Sequence, residues 1–145
     1  MSQIDASDFA ALSAALEDRS TDDVLATIQS QEGGAAHTLD QVFTGMCQVF
    51  NPGKAAGQQA TVQYDVNVPD GTLPYTMRIA DGQCHYERGS AESPRVTLRI
   101  GLVDFLRLIT GKANGVQLFM TGKLKVSGDM FFAQTFQTWF DRPGA

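Results

Sequence analysis

Residues 119–129 read FMTGKLKVSGD, and residues 130–140 continue MFFAQTFQTWF. Leu124 and Val126 alternate with Lys123 and Lys125 between Gly122 and Gly128, the period-two pattern of a short strand with one apolar face. Beyond Gly128 the period changes to about 3.6. From Asp129 to about Phe140, Phe132, Phe136, Trp139 and Phe140 share one helical face, and Met130 and Phe131 widen it. A strand hinged by glycine at both ends, running straight into an aromatic helix, is a tight corner with much apolar surface to bury beside it.

On the N-terminal side, GLVDFLRLITGK (101–112) places Leu102, Phe105, Leu106 and Ile109 on a helix, with Gly111 at its C-terminal cap. Asn114 then caps a short turn from Val116 to Met120. Further back the period is two. Val62, Tyr64, Val66 and Val68; Leu73, Tyr75, Met77 and Ile79; Cys84 and Tyr86; and Val96, Leu98 and Ile100 each alternate with polar residues. Asp81–Gly82 is the strongest hairpin signal in the chain. These four strands are apolar on one side only, so one face of the sheet is expected to meet water.

Before the strands, Leu39, Val42, Phe43, Met46, Cys47 and Phe50 form a sustained helical stripe stopped by Asn51–Pro52–Gly53, and KAAGQQ (54–59) reads as a loop. Two shorter helices precede it, one through Phe9, Leu12 and Leu16, the other starting at Ser20–Thr21 and running through Val24, Leu25 and Ile28. The order is three helices, four strands, a helical crossover, a fifth strand and a closing helix. Hairpin-linked strands with helices grouped at the ends indicate an α+β fold rather than a doubly wound one.

The chain has 145 residues, 43% apolar and 19% charged, enough for one domain with its own core. Its net charge of -5 opposes nucleic-acid binding, which requires a basic face. Seven acids stand against Arg19 alone in residues 1–35, a net of -6, so the rest is close to neutral. That front end reads as a solvated helical cover, with a docking surface for a basic partner as the alternative. Cys47 and Cys84 are the only cysteines, which suggests a reducing compartment and no disulfide framework. No secretion leader or membrane span is visible, and neither a myristoylation site nor a peroxisomal ending is present, so a cytoplasmic location is expected.

Chemistry-bearing constellations are scarce. His37 stands at a helix start. His85 faces away from Cys84 because neighbours in a strand point to opposite sides, so the two cannot act together as nucleophile and base or as metal ligands. No zinc-type spacing occurs. Gly111–Lys112 and Gly122–Lys123 lack the remainder of a phosphate loop. Asp104, the one acid in the apolar crossover helix, reads as an outward-facing helical residue. No catalytic residue, metal or cofactor is expected. What stands out is apolar: seven aromatic residues between Leu102 and Phe140, in helices that compete with others for a single apolar sheet face. Such stripes are usually core, but Phe and Met also line adaptable pockets.

The stretch VTLRIGLVDFLRLITGKANGVQLFMTGKLKVSGDM (96–130), with an aromatic helix after it, resembles the sterol carrier protein type 2 family of non-specific lipid-transfer domains. The specific part is FMTGKLKVSGD. The likeness extends over residues ~21 to 140, which sets off residues 1–20 as an acidic helical extension from a lipid-binding domain at 21–145. It implies a five-stranded, curved, mainly antiparallel sheet with helices on one face, enclosing a hydrophobic tunnel. It also implies that a fatty acid, fatty acyl-CoA, phospholipid or sterol-like lipid is held there without reaction. Combined with the face assignments, the lining is expected to comprise Phe43, Met46, Met77, Leu98, Phe105, Leu106, Ile109, Phe119, Met120, Leu124, Val126, Phe132, Phe136, Trp139 and Phe140. Lys123 and Lys125 would face water, either meeting a carboxylate or phosphate headgroup or simply solvating a strand edge. The implied partner is a lipid or fatty acyl ligand, with transient membrane or enzyme contact. The alternative is an accessory protein that presents a lipid or quinone-type substrate to an enzyme complex.

Overall fold

A computed structural model describes residues 9–140 except 18, 32 and 70. The elements are α1 (Phe9–Leu16), α2 (Thr21–Ser30), α3 (Gly34–Gln48), α4 (Pro52–Ala55), β1 (Ala60–Val68), β2 (Gly71–Ala80), β3 (Gln83–Arg88), β4 (Val96–Gly101), α5 (Leu102–Ile109), α6 (Gly115–Met120), β5 (Leu124–Gly128) and α7 (Met130–Gln137). This is the α+β order expected. Local chemistry sets several boundaries. Ser20 Oγ accepts the Asp23 amide at the start of α2, and Asn114 Oδ1 accepts the Val116 amide at 2.8 Å at the start of α6. Only the start of the 54–59 segment departs from the loop expected: Pro52 at the first helical position and Asn51 as its cap wind residues 52–55 into one helical turn, and 56–59 remain irregular. Likewise α7 stops at Gln137 rather than Phe140.

The strands form one sheet in the order β3-β2-β1-β4-β5. Three of its pairings are antiparallel, while β1 and β4 run parallel from Val62↔Val96 to Asn67↔Gly101. The parallel pair arises because the chain, after β3, crosses back over β2 and β1. Residues 89–95 make that crossing on the polar side of the sheet. There Thr76 Oγ1 donates to the Gly89 carbonyl at 2.9 Å, and the Ala91 amide donates to Gln63 Oε1 at 3.1 Å. The face expected to meet water is therefore partly roofed, and Thr76 and Asp65 are only 1% and 8% exposed.

The other face carries Val62, Tyr64, Val66, Tyr75, Met77, Ile79, Val96, Leu98 and Ile100, all buried. α3 and α5 lie over it. Phe43 of α3 stacks on Tyr75 with centroids 4.7 Å apart and meets Tyr64 edge-on at 5.2 Å and Phe105 at 5.6 Å. α1 and α2 back α5, sending Leu12, Leu16, Val24 and Ile28 into the same core. A second aromatic group sits at the C-terminal end, where Phe136 lies 5.6 Å from Phe132, 5.6 Å from Trp139 and 5.1 Å from Phe140. The Asn51 amide donates to the Trp139 carbonyl at 2.7 Å, tying that end to the α3–α4 junction.

Candidate functional site

Between the edge of the sheet at β4–β5 and the two helices α6 and α7 lies a cavity of about 110 Å³, lined by Leu98, Gly115, Val116, Phe119, Leu124, Val126, Met130, Ala133 and Gln134. Its floor is the apolar side of β4 and β5, where Leu98 registers opposite Val126 and Ile100 opposite Leu124. One wall is α6. This helix has six residues, of which only Leu118 is buried, so it is thinly anchored. The other wall is α7, which turns Met130, Ala133 and Gln134 toward the space while Phe132 and Phe136 point into the core.

The strand between these helices is shaped by its two glycines. Gly122, at φ +78°, has open space where a Cβ would stand, so only its left-handed backbone requires glycine. Gly128, at φ +100°, is constrained twice, since a Cβ there would lie 2.6 Å from the Arg95 carbonyl oxygen. The next residue, Asp129, caps α7 by accepting the Phe132 amide at 2.9 Å, and Arg95 pairs with it at 3.3 Å. That backbone hydrogen bond, ahead of the charge of Arg95, holds the Asp129 carboxyl below the usual carboxylate range. Arg95 also lies over the Phe132 ring, 4.0 Å from its centroid. The corner that orients α7 is thus built from Gly128, Asp129 and Arg95.

Large apolar side chains left exposed among the described residues are Val116, Phe119, Met120, Met130 and Phe131, all between residues 116 and 131. Phe131 is 86% exposed and Met120 78%. They continue the cavity lining outward over α6 and the first turn of α7. Val116, Phe119 and Met130 also line the cavity, so these exposed apolar side chains lie on the two helices that wall it.

Of the residues expected to line a tunnel, the structure places Leu98, Phe119, Leu124 and Val126 at this cavity. Phe43, Met46, Met77, Phe105, Leu106 and Ile109 lie in the main core, Phe132, Phe136, Trp139 and Phe140 interlock at the C-terminal end, and Met120 faces outward. Gly115, Val116, Met130, Ala133 and Gln134 join the lining in addition to those expected. Met130, Ala133 and Gln134 follow an i, i+3, i+4 spacing on α7, a second stripe beside the aromatic one. Lys125 alternates with Leu124 and Val126 and so projects from the polar side of the sheet, away from the cavity. Lys123, before the strand, is exposed and is not part of the lining.

The polar chemistry of the cavity is limited to the Gln134 amide and backbone. His37 and His85 are both exposed and lie on different elements. Asp104 is half-buried in the first turn of α5, where a carboxylate favours the helix dipole. The arrangement can exclude water from an apolar guest; it brings no nucleophile and base together around one.

The SCP-2 sterol transfer family model matches residues 46–141, about two thirds of the chain and the whole of the cavity lining. The chain belongs to this family. The oleate-induced peroxisomal protein POX18 of Candida maltosa is 43% identical over 54 residues, which is 37% of this chain and 42% of that one. The SCP-2 fold recurs in Sterol Carrier Protein 2 Like 2 of Aedes aegypti, with a TM-score of 0.62 at 18% identity, covering 74% of this chain and 98% of that one. It also matches part of the sec-alkylsulfatase Pisa1 of Pseudomonas sp., with a TM-score of 0.66 at 18% identity, covering 73% of this chain and 17% of that one. The matched part of the SCP-2 chain thus spans less than half the length of POX18 and a small fraction of Pisa1. No helix of the described residues is long and apolar enough to cross a membrane.

Proposed function

We propose that this SCP-2 chain binds the acyl portion of a lipid between β4–β5 and the α6/α7 pair and carries it through an aqueous compartment without altering it. The observation that carries this reading is the coincidence of an apolar cavity with the exposed apolar strip on the two helices that wall it. Family membership supports the class of ligand.

Size decides how the ligand enters. A cavity of about 110 Å³ is smaller than the roughly 150 Å³ that admits benzene elsewhere, so only a few carbons fit without movement. A longer chain is accommodated by displacement of α6, held by Leu118, and by contact with Phe119, Met130 and Phe131 along the strip. Each methylene taken from water yields about 0.8 kcal/mol, close to a fourfold gain in affinity. Ten would give roughly 8 kcal/mol gross, which corresponds to micromolar affinity before ordering costs are subtracted, so tighter binding requires more buried methylenes. Binding of this kind measures length and tolerates varied headgroups.

The test is competition of saturated fatty acids of increasing length against a fluorescent acyl probe on delipidated protein. Affinity is expected to rise about fourfold per methylene and then level off, and Val126→Glu is expected to weaken it at least tenfold while the protein stays folded. Affinity independent of both chain length and Val126 would refute the reading.

A further inference from the structure

Far from the cavity, α3 and the edge strand β3 meet along a seam of three paired side chains. Asp40, Thr44 and Cys47 stand at i, i+4 and i+7 on one helical face, and Arg88, Tyr86 and Cys84 stand at alternate positions on the strand. Asp40 forms an ion pair with Arg88, Thr44 Oγ1 lies 3.2 Å from the Tyr86 hydroxyl, and Cys47 Sγ lies 2.6 Å from Cys84 Sγ. Both cysteines are free thiols and half-buried. They line an open surface cleft with Thr44, Gln48, His85 and Tyr86, so a small solute reaches them.

We propose that Cys47 and Cys84 form a dithiol site that a hydroperoxide oxidises to an intramolecular disulfide joining α3 to β3. The other two pairs fix the register of helix and strand, so the sulfurs already face each other. Closing to a bond of about 2.05 Å requires only about half an ångström of approach, which side-chain rotation supplies. Hydrogen bonding from Cys84 holds the Cys47 thiol below its ordinary range and pushes that of Cys84 up, which makes Cys47 the first nucleophile.

The Cys47 thiolate attacks the distal peroxide oxygen. The O–O bond breaks, an alcohol (or water) leaves after taking a proton, and Cys47 becomes a sulfenic acid. The Cys84 sulfur then attacks the Cys47 sulfur, the S–O bond breaks, and water departs with the Cys84 proton. The two sulfurs lose two electrons in total, and the peroxide gains them. The dithiol is consumed in this step, so the reaction is stoichiometric until an external thiol reduces the disulfide.

The test is intact-mass analysis and thiol titration of the folded full chain exposed to hydrogen peroxide. The expected product is monomeric, about 2 Da lighter, without titratable thiol, and yields a single Cys47–Cys84 cross-linked peptide that dithiothreitol resolves. Cys84→Ser is expected to stop at a Cys47 sulfenic acid, about 16 Da heavier and trapped by dimedone. Two thiols still titratable after treatment, separate oxygen adducts on each cysteine of the wild-type chain, or disulfide-linked dimers would each overturn the proposal. The wild-type measurement decides the matter even if the variant fails to fold. None of these outcomes depends on lipid binding.

Discussion

Gly122 and Gly128 bracket the same strand but differ in what they tolerate. A Cβ at Gly122 meets open space, so Gly122→Ala costs only the strain of a left-handed alanine, about 1 kcal/mol. At Gly128 the same change also drives a methyl into the Arg95 carbonyl, and about 2–3 kcal/mol is expected. Urea denaturation of the two variants should separate them in that order. Asp129, next in the chain, has a carboxyl held below its ordinary value of 3.8 by the Phe132 amide and by Arg95. A depressed folded-state value means that its contribution is present above about pH 3.8 and is lost as pH falls through the lower, folded-state value. The stability difference between wild type and Asp129→Asn should therefore shrink as pH is lowered below 3.8. A constant difference across that range would show that the charge is not involved.

Of the two helices that wall the cavity, α6 is the more thinly anchored. It buries Leu118 alone, whereas β1 is hydrogen-bonded on both sides along most of its length. Hydrogen exchange should be much faster at the α6 amides than at the centre of β1, and a bound fatty acid should slow α6 and the first turn of α7 while leaving β3 unaffected. Apart from the turn α4 and the end of α7, the elements were legible in the sequence because their signals are local: period two in the strands, period 3.6 in α3 and α5, and the caps at Ser20, Asn114 and Gly111. The parallel pairing of β1 with β4 was not, since it depends on where residues 89–95 run. That path is set by contacts such as Thr76 with Gly89 and Gln63 with Ala91, which no periodicity announces. The Cys47–Cys84 contact was hidden for the same reason. Each cysteine could be placed on an apolar face, but not the register of α3 against β3.

In the molecule as a whole, the apolar excess divides into a packed core and a small cavity at one sheet edge. Sequence pattern showed the excess but could not divide it, because Phe132, Phe136 and Trp139 read alike whether they interlock or line a space. The lining was legible at Leu98, Phe119, Leu124 and Val126, which the strand alternation and the α6 turn expose. Ala133 and Gln134 were overshadowed by the aromatic stripe beside them. A ligand confined to the folded state should also raise stability. A fatty acid at one hundred times its dissociation constant is expected to add about 2.7 kcal/mol, or roughly 10 °C in Tm, and Val126→Glu at the same ligand concentration should cut that gain by about half or more. Methyl NMR of delipidated protein saturated with hexadecanoate addresses the site itself. Intermolecular NOEs are expected from the chain to Leu98, Val116, Leu124, Val126 and Ala133. Saturable binding whose NOEs fall elsewhere, or no binding at all, would show that the space beneath α6 and α7 holds no lipid.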